Sequence, residues 1–276
     1  ICRMTRVIFT SGVTAGHIYV VDPAGNGDYS TIQAAINAAY NQAPSASQPW
    51  LILITPDTYP ENLILRDHVH LAGICVERGA IIHPTSGAVI SGGAECQLSN
   101  LKLGGNSSPM LELTNLAGKT LRLKNVVMEA DTDAINGIYA ATGTIIIERS
   151  TLQVGGKVIL GKASGGTVKV YYSRLRRYTE TSGTSQAAIE MLAGQTLEIY
   201  HSIIRNEANA GAGILFSGAP TLAKVYHSIV TKSAGGTYSI DASAAMTLRM
   251  AATVVNADID TGDISGYTDY TIDANC

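Results

Sequence analysis

Charge is scarce in this chain: Asp, Glu, Lys and Arg make up 15% of its 276 residues, and the formal net charge is −3. No cluster of basic residues stands out, so the electrostatic footprint of a nucleic-acid-binding protein is missing and no nucleic-acid partner is expected. No apolar run approaches the roughly 20 residues of a membrane-spanning helix. Without such a run no membrane partner is expected, and the opening ICRMTRVIFTSG is too short in its apolar stretch for a secretion signal. The four cysteines, Cys2, Cys75, Cys96 and Cys276, show no CxxC or other zinc spacing. Cys75 and Cys96 lie in apolar strand contexts and read as buried thiols, with a disulfide left open. GxSxG, HExxH, phosphate-loop and dinucleotide signatures are absent, so no cofactor is expected. His68 and His70 share a strand face with His83 nearby, yet no acidic or thiol partner completes a metal set. Asp258 to Asp263 lacks the register and downstream Glu of an EF-hand. Asn106 to Ser108 fits a glycosylation acceptor.

What is present is a repeat. A phrase close to apolar-x-apolar-x-x-(Ser/Asn/Thr)-apolar-apolar aligns Asn100, Asn125, Ser150, Ser173, Ser202, Ser228 and Thr253 in one column, at intervals of 25, 25, 23, 29, 26 and 25. Such a period marks units that bury their apolar faces only against neighbours. The units are rich in Val, Ile, Thr and Tyr and alternate with period two. They are broken by Gly-Gly, Gly-Thr and Ala-Gly rather than helix caps, which selects parallel β-coils over leucine-rich or helical repeats. A second strand recurs at 110–113, 137–140, 157–160, 188–191, 213–216 and 238–241. The expected fold is therefore an all-β parallel solenoid of about nine coils stacked at roughly 4.8 Å. Its polar corner column would form a hydrogen-bonded ladder.

Upstream, Ser30 and Gln33 have capping-box spacing, and Ile32, Ile36 and Ala39 or Tyr40 follow with helical periodicity. This predicts a short amphipathic helix over the open N-terminal end of the core. The domain plan is an arm over 1–17, a cap segment over 18–49, the parallel β-helix over 50–257 and a closing or partner-contacting segment over 258–276.

The stretch YVVDPAGNGDYSTIQAAINAA with LILITPDTYPENLILRDHVHLAGI, within residues 19–74, resembles the start of the pectin-lyase-like right-handed β-helix superfamily, its pectin methylesterase branch in particular. Asp57, Tyr59 and Glu61 occupy the GxYxE element, with Asp in place of Gly. The esterases' QDTL-like and DFIFG-like aspartate segments and their LGRPW-like arginine segment do not occur here. The resemblance thus implies the fold without the activity. The same opening is similar to that of β-helical proteins of phage tails and virion surfaces.

Two constellations bear on function. Glu190 and Asp241 fall two coils apart in one column, near ~9.6 Å by strand spacing, at the outer limit of about 9.5 Å for an inverting glycosidase pair, with Leu215 between them. Tyr171-Tyr172-Ser173, Tyr200-His201-Ser202 and Tyr226-His227-Ser228 repeat over three coils, with Arg176 and Arg205 three residues beyond two of the corners. An outward Tyr171, Tyr200, Tyr226 ladder would suit a sugar face or a neighbouring subunit, and it would equally serve as cross-strand stacking. The expectation is a non-catalytic structural or interaction protein of a virion or extracellular surface, such as a capsid decoration or tail-associated protein, forming homo-oligomers with the trimer preferred. Its partners would be itself, other virion or surface proteins and a polysaccharide. The alternatives are a carbohydrate-active enzyme or a glycan-binding adhesin.

Overall fold

The computed structural model describes residues 7–8, 14–74, 79–105, 109–114, 116–130, 136–140, 142–161, 165–178, 187–207, 211–217, 222–232, 235–236, 238–242, 246–255, 264–268 and 271–273. Cys2, Cys75, Cys276, the acceptor at Asn106 to Ser108 and the Asp258 to Asp263 run lie outside the described residues.

The chain winds through three parallel sheets of eleven, ten and eight strands, visiting each in turn. One coil shows how sequence dictates this path. Thr120–Lys124 lies in the first sheet with Leu121 and Leu123 buried and Thr120, Arg122 and Lys124 on the outer face. Val127–Ala130 follows in the second sheet and Ile138–Ala140 in the third. In the regular coils period-two alternation puts alternate side chains into an apolar core running along the axis, and a second small cluster of Leu51 and Ala72 lies apart from it.

Six coils carry strands of at least three residues in all three sheets, from Cys96–Ser99 through Ile240–Ala242. The regular solenoid therefore has about six turns, not nine. The two coils before it have only two-residue strands, Leu63–Ile64 and Ile90–Ser91, in the third sheet. At the C-terminal end Ile264–Thr268 and Thr271–Asp273 extend the first and second sheets in parallel.

The helix spans Ile32–Tyr40, and its apolar stripe of Ile32, Ala35, Ile36 and Ala39 is buried against the end of the core. Its N-terminus is not held by the expected capping box. Thr31 is the N-cap residue and makes no side-chain cap bond. Both oxygens of Glu61 accept instead, from Ile32 N–H at 2.8 Å and Gln33 N–H at 2.9 Å. This carboxylate satisfies two orphan donors at the positive end of the helix dipole. Gln33 turns outward and accepts from Ile64 N–H at 2.8 Å.

The polar corner column divides into two. Lys124 pairs with Glu148, which aligns Asn125 with Arg149, not with Ser150. Asn100, Asn125, Arg149, Tyr172, His201, His227 and Ala252 all have φ between 47° and 54°. They share one left-handed bend. From Asn100 to His227, each backbone N–H reaches a carbonyl of the next coil at 2.9–3.2 Å. The residue after this bend is Ser150, Ser173, Ser202, Ser228 or Thr253, and these five are buried. Ser173 Oγ accepts Ser150 N–H, Ser202 Oγ accepts Ser173 N–H, and Ser228 Oγ accepts Ser202 N–H, at 3.1–3.2 Å. Each hydroxyl then donates to the carbonyl two residues earlier, at 2.7–2.8 Å in these three. Size and polarity group Asn with Ser, whereas the backbone groups Asn with Arg, Tyr and His.

Candidate functional site

The left-handed bend raises one side chain per coil away from the core. Asn tolerates this conformation well and His moderately, while Arg and Tyr strain it. Asn125 Nδ2 donates to Asn100 Oδ1 at 2.8 Å, a two-rung amide ladder. In the later coils the bend carries rings. Tyr172 stacks on His201 with centroids 5.0 Å apart and planes 1° apart, and His201 stacks on His227 at 4.9 Å and 6°. Tyr172 is 59% exposed.

One residue earlier in each coil, on the outer face of the first sheet, Tyr171, Tyr200 and Tyr226 are in register. Their centroids lie 5.4 Å apart, with planes at 16° and 38°. The sequence-level ladder is thus present as a double one, three tyrosines beside a Tyr-His-His stack. Its orientation differs from what a sugar platform needs. The ring faces are turned toward one another along the axis, so the surface offered outward consists of ring edges, hydroxyls and imidazole nitrogens. Beside it, Glu198 Oε1 pairs with Lys224 at 2.9 Å and Oε2 with Lys169 at 3.1 Å. Burial pushes the Glu198 pKa up, but these two ammonium groups outweigh it and hold the carboxyl below its ordinary value. Burial and the Glu198 charge raise the pKa of Tyr200.

Arg176 and Arg205 are brought together, though on the second sheet and around Glu207. Arg176 Nε donates to Glu207 Oε2 at 2.8 Å and its Nη1 to Gln153 Oε1 at 3.1 Å, while Arg205 Nη1 lies 3.2 Å from Glu207 Oε1. Glu207 neutralises one of the two guanidinium charges, so the cluster keeps a net positive charge.

Glu190, Leu215 and Asp241 share one column of the third sheet in the expected order. Glu190 is tied to Lys157 and accepts from Ser217 Oγ at 2.5 Å. Burial raises its pKa, but the Lys157 and Ser217 hydrogen bonds prevail and bring it below the ordinary carboxylate value. A carboxyl held ionised is unsuited to proton donation as a glycosidase acid.

His70 is also committed, since its Nδ1 accepts Gln97 N–H at 3.0 Å. His68 sits on a separate left-handed bend, φ 59°, just before the strand Val69–Gly73. Among the described residues no three His, Cys, Asp or Glu side chains converge as metal ligands.

An open groove of about 700 Å³ was not expected. Asp57, Thr58, Asn100, Lys102 and Asn125 supply its polar lining. Asn100 and Asn125 belong to the same bend column as Tyr172 and His201, so groove and ring stack lie along one corner, with the exposed Arg149 between them. Aligning the repeats on their strands, rather than on their small polar residues, exposes this corner strip.

No protein-family model and no curated protein matches the chain. Solved structures do match its fold. Pectin methylesterase PemA from Erwinia chrysanthemi superposes with a TM-score of 0.62 at 13% identity, covering 93% of this chain and 94% of that one. Pectin methylesterase from carrot does so with a TM-score of 0.56 at 14% identity, covering 92% and 88%. The fold is the pectin-lyase-like right-handed parallel β-helix. At such identities the likeness carries architecture alone, and activity must be argued from residues.

Proposed function

We propose that this right-handed β-helix is a non-catalytic interaction protein of a virion or extracellular surface, assembling as a homo-oligomer, preferably a trimer, whose copies meet along the Tyr/His corner. The observation that carries the reading is the column of strained bends. Tyr172, His201 and His227 are exposed where Asn is the easier residue, and unfavourable backbone conformations kept at a surface point toward a use for the side chain. Tyrosine supplies contact area with a polar edge, and aromatic residues are enriched at interfaces. The engaged state of Glu190 and the missing esterase segments favour binding over catalysis.

Sedimentation of the purified chain tests this reading. The wild type should run as a trimer, and a Tyr172→Asn/His201→Asn/His227→Asn variant should run as a monomer with an unchanged or higher unfolding midpoint. A monomeric wild type would remove the proposal. A second reading, a glycan-binding or glycan-processing protein, draws on the polar groove at Asn100 and Asn125. It would be favoured by a monomer that retains or cleaves an acidic polysaccharide.

A further inference from the structure

A separate feature lies at the N-terminal end of the solenoid, where the chain passes from the third sheet back to the first. A pocket of about 250 Å³ opens there between Tyr40, the last residue of the helix, and Arg66, Asp67, Gly92, Gly93 and Lys119 of three successive coils. Arg66 lies with its guanidinium carbon 4.9 Å from the centre of the Tyr40 ring. Beyond that ring contact its side chain has no hydrogen bond or ion pair among the described residues, and its Nε is a buried donor without an acceptor.

The nearby acids are already committed. Asp67 Oδ1 accepts Glu95 N–H at 2.8 Å, and Oδ2 pairs with Lys119 Nζ at 2.9 Å. Glu95 Oε2 accepts Thr120 N–H at 2.5 Å. Each carboxylate therefore fastens the next coil, and the guanidinium is left unneutralised. A buried donor without an acceptor, on a guanidinium that lines a concave site, calls for an explanation that a bound acceptor would supply.

We propose that this pocket binds a small monocarboxylate with an apolar tail. The planar guanidinium matches a carboxylate in fork geometry, and Lys119 adds a second donor. The charged residues that line the pocket, Arg66, Lys119 and Asp67, sum to one positive charge, and the Glu95 carboxylate just outside the lining adds to the repulsion a phosphate dianion would meet, so the site suits a monoanion better. Tyr40 and Ile64, at 46% and 48% exposure, are two of the five large apolar side chains that stand exposed among the described residues, and both line this pocket. They give the tail a wall to cover.

Calorimetric or NMR titration of the full chain with isovalerate tests the assignment, with isovaleramide and inorganic phosphate as controls. Isovalerate should saturate one site, with the amide and phosphate at least about tenfold weaker, the scale of a lost charge-assisted bond. Arg66→Gln should weaken isovalerate by at least the same factor. Lys119→Gln, which leaves the Arg66 and Tyr40 stack in place, should weaken it severalfold. Amide or phosphate binding as tightly as the acid, absence of saturation, or full affinity in both variants would overturn the proposal. A short peptide ending in a free Leu carboxylate distinguishes the sources. Tighter binding than isovalerate supports the site with a chain terminus as ligand, and equal or weaker binding supports it with a free acid.

Discussion

Two columns one residue apart, the left-handed bend and the position after it, obey opposite rules. The bend reads Asn, Asn, Arg, Tyr, His, His, Ala from Asn100 to Ala252, and the next position reads Ser, Ser, Ser, Ser, Thr from Ser150 to Thr253. The second column is buried throughout, apolar at Leu101 and Val126 and then hydroxyl-bearing from Ser150 on, where each serine hydroxyl answers a specific N–H of the preceding coil. The first is varied because its side chains leave the core, so only backbone strain limits the choice. A position free to vary in physical terms is one on which function can act.

The same contrast separates the imidazoles and yields the largest expected effect. Burial, with a contribution from His68, pushes the His70 pKa down to about 4. An unfolded histidine titrates near ~6.5, so on acidification the unfolded chain takes up the proton first. Stability associated with His70 is therefore complete above that pH and falls as pH drops toward about 4, by about 3 kcal/mol. Urea unfolding of wild type and His70→Gln at pH 7.5 and 4.5 isolates the term: the variant should lose markedly less on acidification. Equal losses would place His70 among the permissive positions.

Next in size is the serine ladder. Ser202→Val keeps the shape that Val126 already has in this column, but it leaves Ser173 N–H buried without its acceptor. A cost of about 2 kcal/mol is expected. A shift of the urea midpoint with unchanged slope would measure it, and a neutral result would erase the distinction between the columns. Glu61→Gln applies the same logic to the helix, removing the charge and one of the two acceptors that hold Ile32 and Gln33 N–H. About 1 kcal/mol should be lost, read by the same unfolding experiment.

The smallest effect has the opposite sign. Arg149→Asn, on the bend at φ 49°, should stabilise the fold by about 0.5–1 kcal/mol. Calorimetry showing a lower Tm for this variant would mean that the bend position is specified by something other than strain.

The coils were legible in the sequence because burial imposes period-two alternation on Thr120–Lys124 and its equivalents. The second strand at 188–191 and the column shared by Glu190 and Asp241 were legible for the same reason. What escaped depended on contacts between distant residues. The helix cap comes from Glu61, which local spacing cannot supply to Ile32. The number of regular coils was overestimated because two-residue strands such as Leu63–Ile64 still look like repeat units in length. The tyrosine register emerged from repetition, whereas the stacking of its rings edge-outward follows from the coil spacing and is invisible in a string of letters.

The direction of the hydroxyl ladder bears on how the chain acquires its shape during synthesis. Ser173 N–H waits for the oxygen of Ser202, and Ser202 N–H for that of Ser228, so each coil is completed only by the one translated after it. The helix that closes the opposite end precedes these coils in the chain and leaves the ribosome first. Each added coil therefore completes the one before it, and a coil docked one residue out of step would leave a buried donor unanswered. The ladder thus specifies register coil by coil.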